Sequence, residues 1–423
     1  MTDRLECIQT LMPAVRTVVF DYLNQPKETP ADSEEARDLA KALGYIETDI
    51  ATLESDADAL EFERFRLRPL LHQIQTILQR EHATLAKPFL GWSKIVPDAN
   101  AVFFCGAVGT RDLLLQVCSE RKLRLIDVAA NRATAVDRWN SLRSARIAVF
   151  DLSCRDKALR ASVFHELGQS MALGQHAVVL ASLGDPIPFN VDIQPVRLSS
   201  TSADLASLGT AIDRALFSLM RPSGGSSFEA TLKKLERHVT TPTAAEKVLI
   251  EQLRSVKACR TEALALVNQI LIARRDDGLA LFFPRWPGDY PDEDGLCCFH
   301  ITPFAEEFLM AHTAVKKSCI RAGVAYRKGD QGPLLDILHS IWLLTCRADC
   351  VVADLTGLND NVCVEVGIAL ALGRPILLTA RIDKEAALEL YPDIEKMQVH
   401  PYRGPDELAQ LVTDFLNTTT RSL

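Results

Sequence analysis

The sequence predicts an α/β protein with two parallel-sheet units and helical segments before and between them. Short apolar runs alternate with helix-length segments from about residue 98, and again from about residue 278. This alternation is typical of parallel sheets. The two regions also share a pattern of Asp, Glu and two glycines, which indicates an internal duplication. A chain of 423 residues has room for two or three domains.

The composition is that of a globular protein without a dominant nucleic-acid surface. Hydrophobic residues make up 48% of the chain, charged residues 24%, and the net charge is −8. The eleven cysteines lack metal-site spacing and read as buried thiols in a reducing compartment. No secretory signal and no apolar stretch of membrane-spanning length is recognisable. We therefore expect a cytoplasmic protein with no metal site and no membrane partner.

Residues 1–92 are predicted to be helical. Apolar residues recur at alternating four- and three-residue steps, as in a heptad seam: Leu39, Leu43, Ile46, Ile50, Leu53 and Leu60. The seam fits either an intramolecular helical bundle or an assembly segment, so a homo-oligomer is one expectation.

The first α/β unit is predicted over residues 93–215 and the second over 276–423, joined by a helical connector over 216–275. Thr243 and Glu246 form a capping-box pattern that opens a connector helix. The first unit's strands are predicted at 101–105, 123–128, 145–150 and 177–181. Those of the second are predicted at 279–283, 296–301, 324–326, 351–354 and 376–379, with a helix over 334–345.

The internal repeat aligns Asp151 with Asp354, each at the end of a predicted strand, and Glu166 with Glu365 on the helix that follows. The intervals from Glu to the first Gly and from Gly to Gly are identical in both copies. In an open parallel sheet, ligands bind beyond the carboxyl ends of the strands. The Asp and Glu of each copy are therefore expected at one cleft.

Glu365 is the only charge in a long apolar run, which makes it costly unless it is paired or has a task. Two carboxylates in one cleft suit glycosyl chemistry, in which one attacks or shields an oxocarbenium ion. The alternative is a structural Glu that pairs with an arginine or caps an amide. The residue pattern around Glu365 favours the functional interpretation, with Glu365 and Asp354 as candidate catalytic residues.

Residues 296–380 resemble the nucleoside 2-deoxyribosyltransferase-like family, a relative of Toll/interleukin-1-receptor (TIR)-like NAD hydrolase domains. The resemblance rests on Pro303-Phe304 after the first strand, on Arg327, and on the stretch from Ala353 to Gly367. It implies a flavodoxin-like fold in which Glu365 is the nucleophile or catalytic Glu and Asp354 contacts the sugar. The candidate substrate-binding residues at these positions are Thr302, Pro303, Phe304, Arg327, Thr356, Gly357, Asn359 and Asn361.

The first copy matches this pattern more weakly, with Glu166, Asp151, Gly106 and Gly109 as its candidates. Two glycines after a strand would let backbone amides approach a phosphate, although an ordinary tight turn explains them too. This copy reads either as a degenerate structural partner or as a regulatory nucleotide site.

The predicted function is cleavage or ribosyl transfer at the N-glycosidic bond of a nucleotide or nucleoside. NAD or a related nucleotide is the expected small-molecule substrate, no cofactor is required, and the activity is expected in a regulated effector. The alternative is a non-catalytic nucleotide-binding sensor or signalling scaffold that oligomerises.

Overall fold

A computed structural model describes most of the two predicted α/β regions and parts of the remaining chain. The described ranges are 30–50, 84–92, 98–128, 133–185, 193–199, 202–218, 241–255, 280–282, 295–329, 337–382 and 390–419, with a few isolated residues.

The first α/β unit, residues 98–218, contains five strands and four helices. All strands are parallel, in the order β3-β2-β4-β5-β6. The elements are β2 (Asp98–Cys105), α2 (Val108–Glu120), β3 (Arg124–Asp127), α3 (Ala135–Ser144), β4 (Ala145–Asp151), α4 (Lys157–Leu173), β5 (Ala177–Ser182), β6 (Val196–Leu198) and α5 (Ser202–Ser218). They follow a short strand, β1 (Thr84–Ala86), and the helix α1 (Pro30–Ile50).

The second α/β unit, residues 297–419, repeats this arrangement. Its five parallel strands have the order β12-β11-β10-β8-β9. The elements are β8 (Cys297–Ile301), α7 (Leu309–Arg321), β9 (Ala325–Lys328), α8 (Ile337–Arg347), β10 (Cys350–Asp354), α9 (Asp360–Ala371), β11 (Ile376–Arg381), β12 (Val399–Tyr402) and α10 (Pro405–Thr419). Between the units lie α6 (Ala244–Ser255) and β7 (Ala280–Phe282).

Both sheets have the strand order 2-1-3-4-5 within their unit, which is the flavodoxin-like order. The predicted fold class, two parallel-sheet units of one topology, is therefore confirmed. Each unit has a fifth strand that the sequence did not predict. β6 and β12 are three and four residues long and largely half-buried, so they lack an apolar run.

The two units pack through α4 and α9, the helices that carry Glu166 and Glu365. A Cβ at Gly168 would overlap the carbonyl oxygen of Val364, and a Cβ at Gly367 would overlap that of His165. Gly168 corresponds to Gly367 in the repeat, and His165 to Val364. The residue that Gly168 meets in α9 therefore corresponds to the residue that Gly367 meets in α4, so the two contacts are related as they would be across a twofold axis. The glycines at these positions are required because the helix backbones touch.

The apolar core is continuous across this contact, because one cluster of buried residues joins the inner faces of both units. A bidentate ion pair also crosses it. Arg160 of α4 holds Asp360 in the first turn of α9 with Nε–Oδ1 and Nη2–Oδ2 distances of 2.9 and 2.6 Å. The same guanidinium donates to the carbonyl of Leu152 at 2.6 Å. The units therefore form one continuous packed body through this face.

The helical segment before the first unit is described over α1, where Leu39, Leu43 and Ile46 of the predicted seam are buried. Leu53 and Leu60 lie outside the described residues. The helical expectation for residues 1–92 does not hold at β1, which pairs antiparallel with β7. The predicted strand at 279–283 therefore belongs to a separate two-stranded sheet.

The connector helix α6 begins as the sequence predicts. The amide of Thr243 donates to Glu246 Oε2 at 2.7 Å, and the amide of Glu246 donates to Thr243 Oγ1 at 3.2 Å. These reciprocal bonds are a capping box. The rest of the predicted connector lies mostly outside the described residues.

Candidate functional site

Helix α9 presents Glu365 from a buried position. Asn359 caps the helix, with its side chain accepting from the amides of Asn361 and Val362 at 3.0 and 3.3 Å. Every residue from Val362 to Ala371 is buried, so the helix has no solvent-facing side beyond its first turn. Gly373 follows the helix with a φ of +65°, the left-handed geometry that favours glycine after a helix.

The Glu365 carboxyl is buried and has no hydrogen bond or ion pair to any described residue. Only 5% of the surface of Glu365 is exposed. Burial alone raises the pKa of Glu365 from 4.5 to about 8, because the charged form loses its hydration without gaining a partner. At neutral pH Glu365 is therefore mainly the protonated acid.

Glu166 is buried as deeply but is surrounded by charge. Arg138 Nε lies 2.6 Å from Glu166 Oε1 and 3.2 Å from Oδ1 of Asp393, a residue of the second unit. One guanidinium is thus within ion-pair distance of two carboxyl groups. Burial raises the pKa of Glu166 to about 8, opposed by Arg138 and reinforced by Asp393. A second contact from that unit is Tyr391, whose hydroxyl lies 3.1 Å from His165 Nδ1.

The repeat shows why the two glutamates differ. Aligning Ala145 with Ala348 matches Trp139 with Trp342, both fully buried, and matches Arg138 with Ile341. The first unit places an arginine beside its glutamate, whereas the corresponding position of the second unit carries an aliphatic side chain. Glu166 is therefore part of a charge cluster that joins the units, whereas Glu365 has no charged partner among the described residues.

Asp354, the other candidate catalytic residue, ends β10 with both of its carboxylate oxygens hydrogen-bonded. Its Oδ1 accepts from the amide and the hydroxyl of Thr356 at 3.0 and 2.5 Å, and its Oδ2 accepts from the Tyr402 hydroxyl at 2.5 Å. Thr356 Oγ1 accepts in turn from the amide of Arg381 at 2.7 Å. This network ties the ends of β10, β11 and β12 together. The predicted sugar contact of Asp354 stays a prediction.

Asp151 makes the same turn in the first unit. Its Oδ1 accepts from the amide and hydroxyl of Ser153 at 2.9 and 2.5 Å, and its Oδ2 from Thr110 Oγ1 at 2.6 Å. The repeated aspartate is therefore a structural feature of the strand end in both units. A Cβ at Gly106 would overlap the Asp151 side chain, which is a packing reason for that glycine. Gly109 lies in the first turn of α2 with open space beside it.

The segment after β8 is held by a histidine that sequence reasoning missed. His312 of α7 has its Nε2 3.4 Å from Thr302 Oγ1 and 3.2 Å from the Pro303 carbonyl, and its Nδ1 3.4 Å from Lys328 Nζ. Lys328 in turn lies 5.3 Å from the ring centre of Phe304. His312 thus fixes Thr302 and Pro303 against the end of β9. Its only sequence signal was a histidine on a helix, which has no specific spacing.

Phe304 and Ile341 approach each other at the end of β9. A Cβ at Gly329 would lie 3.4 Å from Ile341 Cγ1 and 3.5 Å from Phe304 Cζ. Phe304 is 44% exposed, so part of its ring is available to a ligand. The segment after β8 therefore reaches the position that corresponds to Arg138, the partner of Glu166.

The remaining predicted residues have local roles that the structure defines. Gly357 and Leu358 both have positive φ, +73° and +48°, and form the tight passage from β10 to α9. Arg327 is half-buried on β9, in register with Phe299. The candidates of the second unit thus lie on the segments that follow β8 and β10, within the last residues of β9 and β10, and on α9.

Comparison with known proteins gives no family for this chain: no protein-family profile and no curated protein matches it. Within the described parts of the chain, no cluster of His, Cys, Asp and Glu has the arrangement of a metal site. None of the described helices combines the length and the apolar character needed to cross a membrane.

Proposed function

We propose that the second α/β unit cleaves, or transfers a ribosyl group from, the N-glycosidic bond of a nucleotide or nucleoside. The observation that carries this proposal is the buried carboxyl of Glu365, which has no hydrogen bond or ion pair to any described residue. An ionisable group kept without a partner is costly to the fold, and functional sites concentrate such groups. The matched Glu166, which is neutralised by Arg138, is the internal contrast.

The raised pKa of Glu365 favours a substrate whose leaving base carries positive charge, as the nicotinamide ring of NAD does. A cation bound beside the buried carboxyl would stabilise its ionised form, so binding would displace the proton of Glu365 to solvent. The carboxylate then attacks C1 of the ribose or shields the oxocarbenium ion, while the C–N bond breaks and its electron pair leaves with the base. Water or a second nucleophile then adds to C1 and loses a proton; where Glu365 had attacked, the C1–O bond to Glu365 breaks in this step and its electron pair returns to the carboxylate.

Asp354 and Thr356 are proposed as positioning residues in this reaction. Their hydrogen bonds to Tyr402 and to the Arg381 amide fix the strand ends that flank the turn into α9. Thr302 lies next to His312, and Phe304 and Ile341 both lie near Gly329 at the end of β9. A ribose or a base is expected to bind beside these residues.

The test is product analysis of the full chain with NAD and with a panel of nucleosides. Glu365→Gln keeps the shape of the side chain and is expected to lower turnover at least about 100-fold, the usual minimum for loss of a positioned acid or nucleophile. Glu166→Gln is the matched control, since it removes the corresponding carboxyl in the first unit, and it should retain turnover. Wild-type rates in Glu365→Gln would refute the proposal.

The alternative is a nucleotide sensor without turnover. It is favoured by one observation: both oxygens of the Asp354 carboxylate already accept hydrogen bonds within the fold, which gives Asp354 a structural role at the end of β10. Tight binding of NAD that is recovered intact after long incubation would establish the sensor and exclude the enzyme. Release of free nicotinamide would establish the enzyme.

A further inference from the structure

A cavity of about 480 Å³ lies at the carboxyl edge of the first unit's sheet, remote in sequence from Glu365. Its walls come from both units, since Pro392 and Glu395 of the second unit close one side. The described lining residues are Gly106, Val108, Asp127, Ala133, Arg138, Asp156, Ala158, Leu159, Pro392 and Glu395. The volume falls within the roughly 300–1,000 Å³ of small-molecule sites.

The apolar part of the wall can hold a small flat ring. Val108, Ala133, Ala158, Leu159 and Pro392 contribute methyl and methylene groups and no charge. Such a surface contributes affinity by burying apolar area, and it leaves the choice of ligand to the polar groups around it.

Two of the charged lining residues are already neutralised. Arg138 lies within ion-pair distance of Glu166 and Asp393, so its positive charge is balanced. Asp127 pairs with Arg111, with 2.8 Å between Oδ2 and Nε. Neither residue therefore gives the cavity a positive potential that would attract an anion.

The remaining charges of the described lining are carboxylates. Asp156 caps α4 by accepting from the Leu159 amide through Oδ1 at 2.8 Å, which uses one of its oxygens. Glu395 has no hydrogen bond or ion pair to any described residue. The cavity thus combines an apolar wall with unbalanced negative charge.

We propose that this cavity binds a small organic cation with an apolar ring, such as an N-alkylated pyridinium. The ring lies against the apolar wall, and Glu395 and Asp156 balance the charge. The site takes this ligand whether or not Glu365 supports catalysis, because Glu365 does not line the cavity.

The experiment is calorimetric titration of the full chain with three rings of nearly equal size and different charge. The ligands are 1-methylnicotinamide, which is cationic, nicotinamide, which is neutral, and nicotinate, which is anionic. We expect the cation to bind about fivefold more tightly than the neutral ring, the difference that one partly exposed charge pair supplies, and the anion to bind most weakly. Equal affinities, preference for the anion, or no binding of the cation would overturn the proposal.

Two variants with matched controls assign the site. Ala158→Phe fills the cavity and should abolish binding, whereas Val136→Phe on the exposed surface of α3 should not. Glu395→Gln should remove the preference for the cation, whereas Glu120→Gln at the far end of α2 should keep it. Binding that is lost in Glu365→Gln but kept in Ala158→Phe would place the ligand in the second unit and refute this site, without bearing on the proposed reaction.

Discussion

Replacing Glu365 with Gln is expected to stabilise the protein at neutral pH while removing the proposed activity. The folded-state pKa of Glu365 is raised from 4.5 to about 8 by burial. The fold therefore favours the protonated acid. Its contribution to the free energy of unfolding is fully present below the pKa of an unfolded glutamate. It is lost as the pH rises through the folded pKa, because the unfolded chain then binds fewer protons than the folded chain.

Between the unfolded and the folded pKa of Glu365, the free energy of unfolding changes by about 1.4 kcal/mol for each pH unit. At pH 7, about 2.5 units above the ordinary pKa of a glutamate, ionisation on unfolding costs the wild type about 3 kcal/mol. At pH 5 the same cost is about 1 kcal/mol. Gln does not ionise and so has no such pH-dependent cost. The stability of the variant relative to wild type should therefore increase between pH 5 and pH 8.

The assay is urea unfolding of both proteins at pH 5, 6, 7 and 8, with Glu120→Gln as an exposed control. The difference in free energy of unfolding between Glu365→Gln and wild type should grow with pH and level off near pH 8. A difference that is constant over this range, or one that shrinks, would refute the reasoning, because it would mean that Glu365 is ionised and partnered in the fold.

The other predictions concern packing and the buried charges. Arg138→Leu should lower the free energy of unfolding by about 3–5 kcal/mol, since it strands two buried carboxylates, and adding Glu166→Gln should recover part of that loss in urea unfolding. Gly168→Ala should destabilise by several kcal/mol, about 3 or more, through overlap with the facing helix, whereas Gly44→Ala in α1, where a Cβ meets nothing, should stabilise by about 0.5–1 kcal/mol in thermal unfolding. Tyr402→Phe should cost about 1–3 kcal/mol by removing a donor to Asp354, measured in the same way.

The repeated fold could be predicted because its strands and turns carry local signals. Ala101–Cys105 is a continuous apolar run that becomes a central strand, and such runs mark strands buried on both faces. Val196–Leu198 is three half-buried residues at a sheet edge, so the same criterion could not find it. The strand Thr84–Ala86 was missed because it pairs with Ala280–Phe282, about two hundred residues later.

The candidate site could be located but not fully described from sequence. The isolated charge of Glu365 and the strand-terminal Asp354 were recognisable from local pattern alone. The sequence does not reveal that Asp393 reaches Arg138 across 255 positions, or that Asp354 is held by Tyr402. Such contacts depend on how the two units pack, and residue periodicity carries no information on that packing. The unpaired state of Glu365 is therefore a result of tertiary structure.

The exchanged glycine contact has a consequence for how the two halves were able to diverge. In an assembly of two identical chains, a substitution enters both copies of a contact at once, so an arginine beside one glutamate means an arginine beside the other. Joining the copies in one polypeptide removes that constraint. Arg138 and Ile341 occupy corresponding positions. In the first unit Glu166 takes part in the ion pairs that join the two units, whereas Glu365 of the second unit has no charged partner among the described residues. Covalent linkage thus allows the two halves to specialise while the contact between them keeps its symmetry.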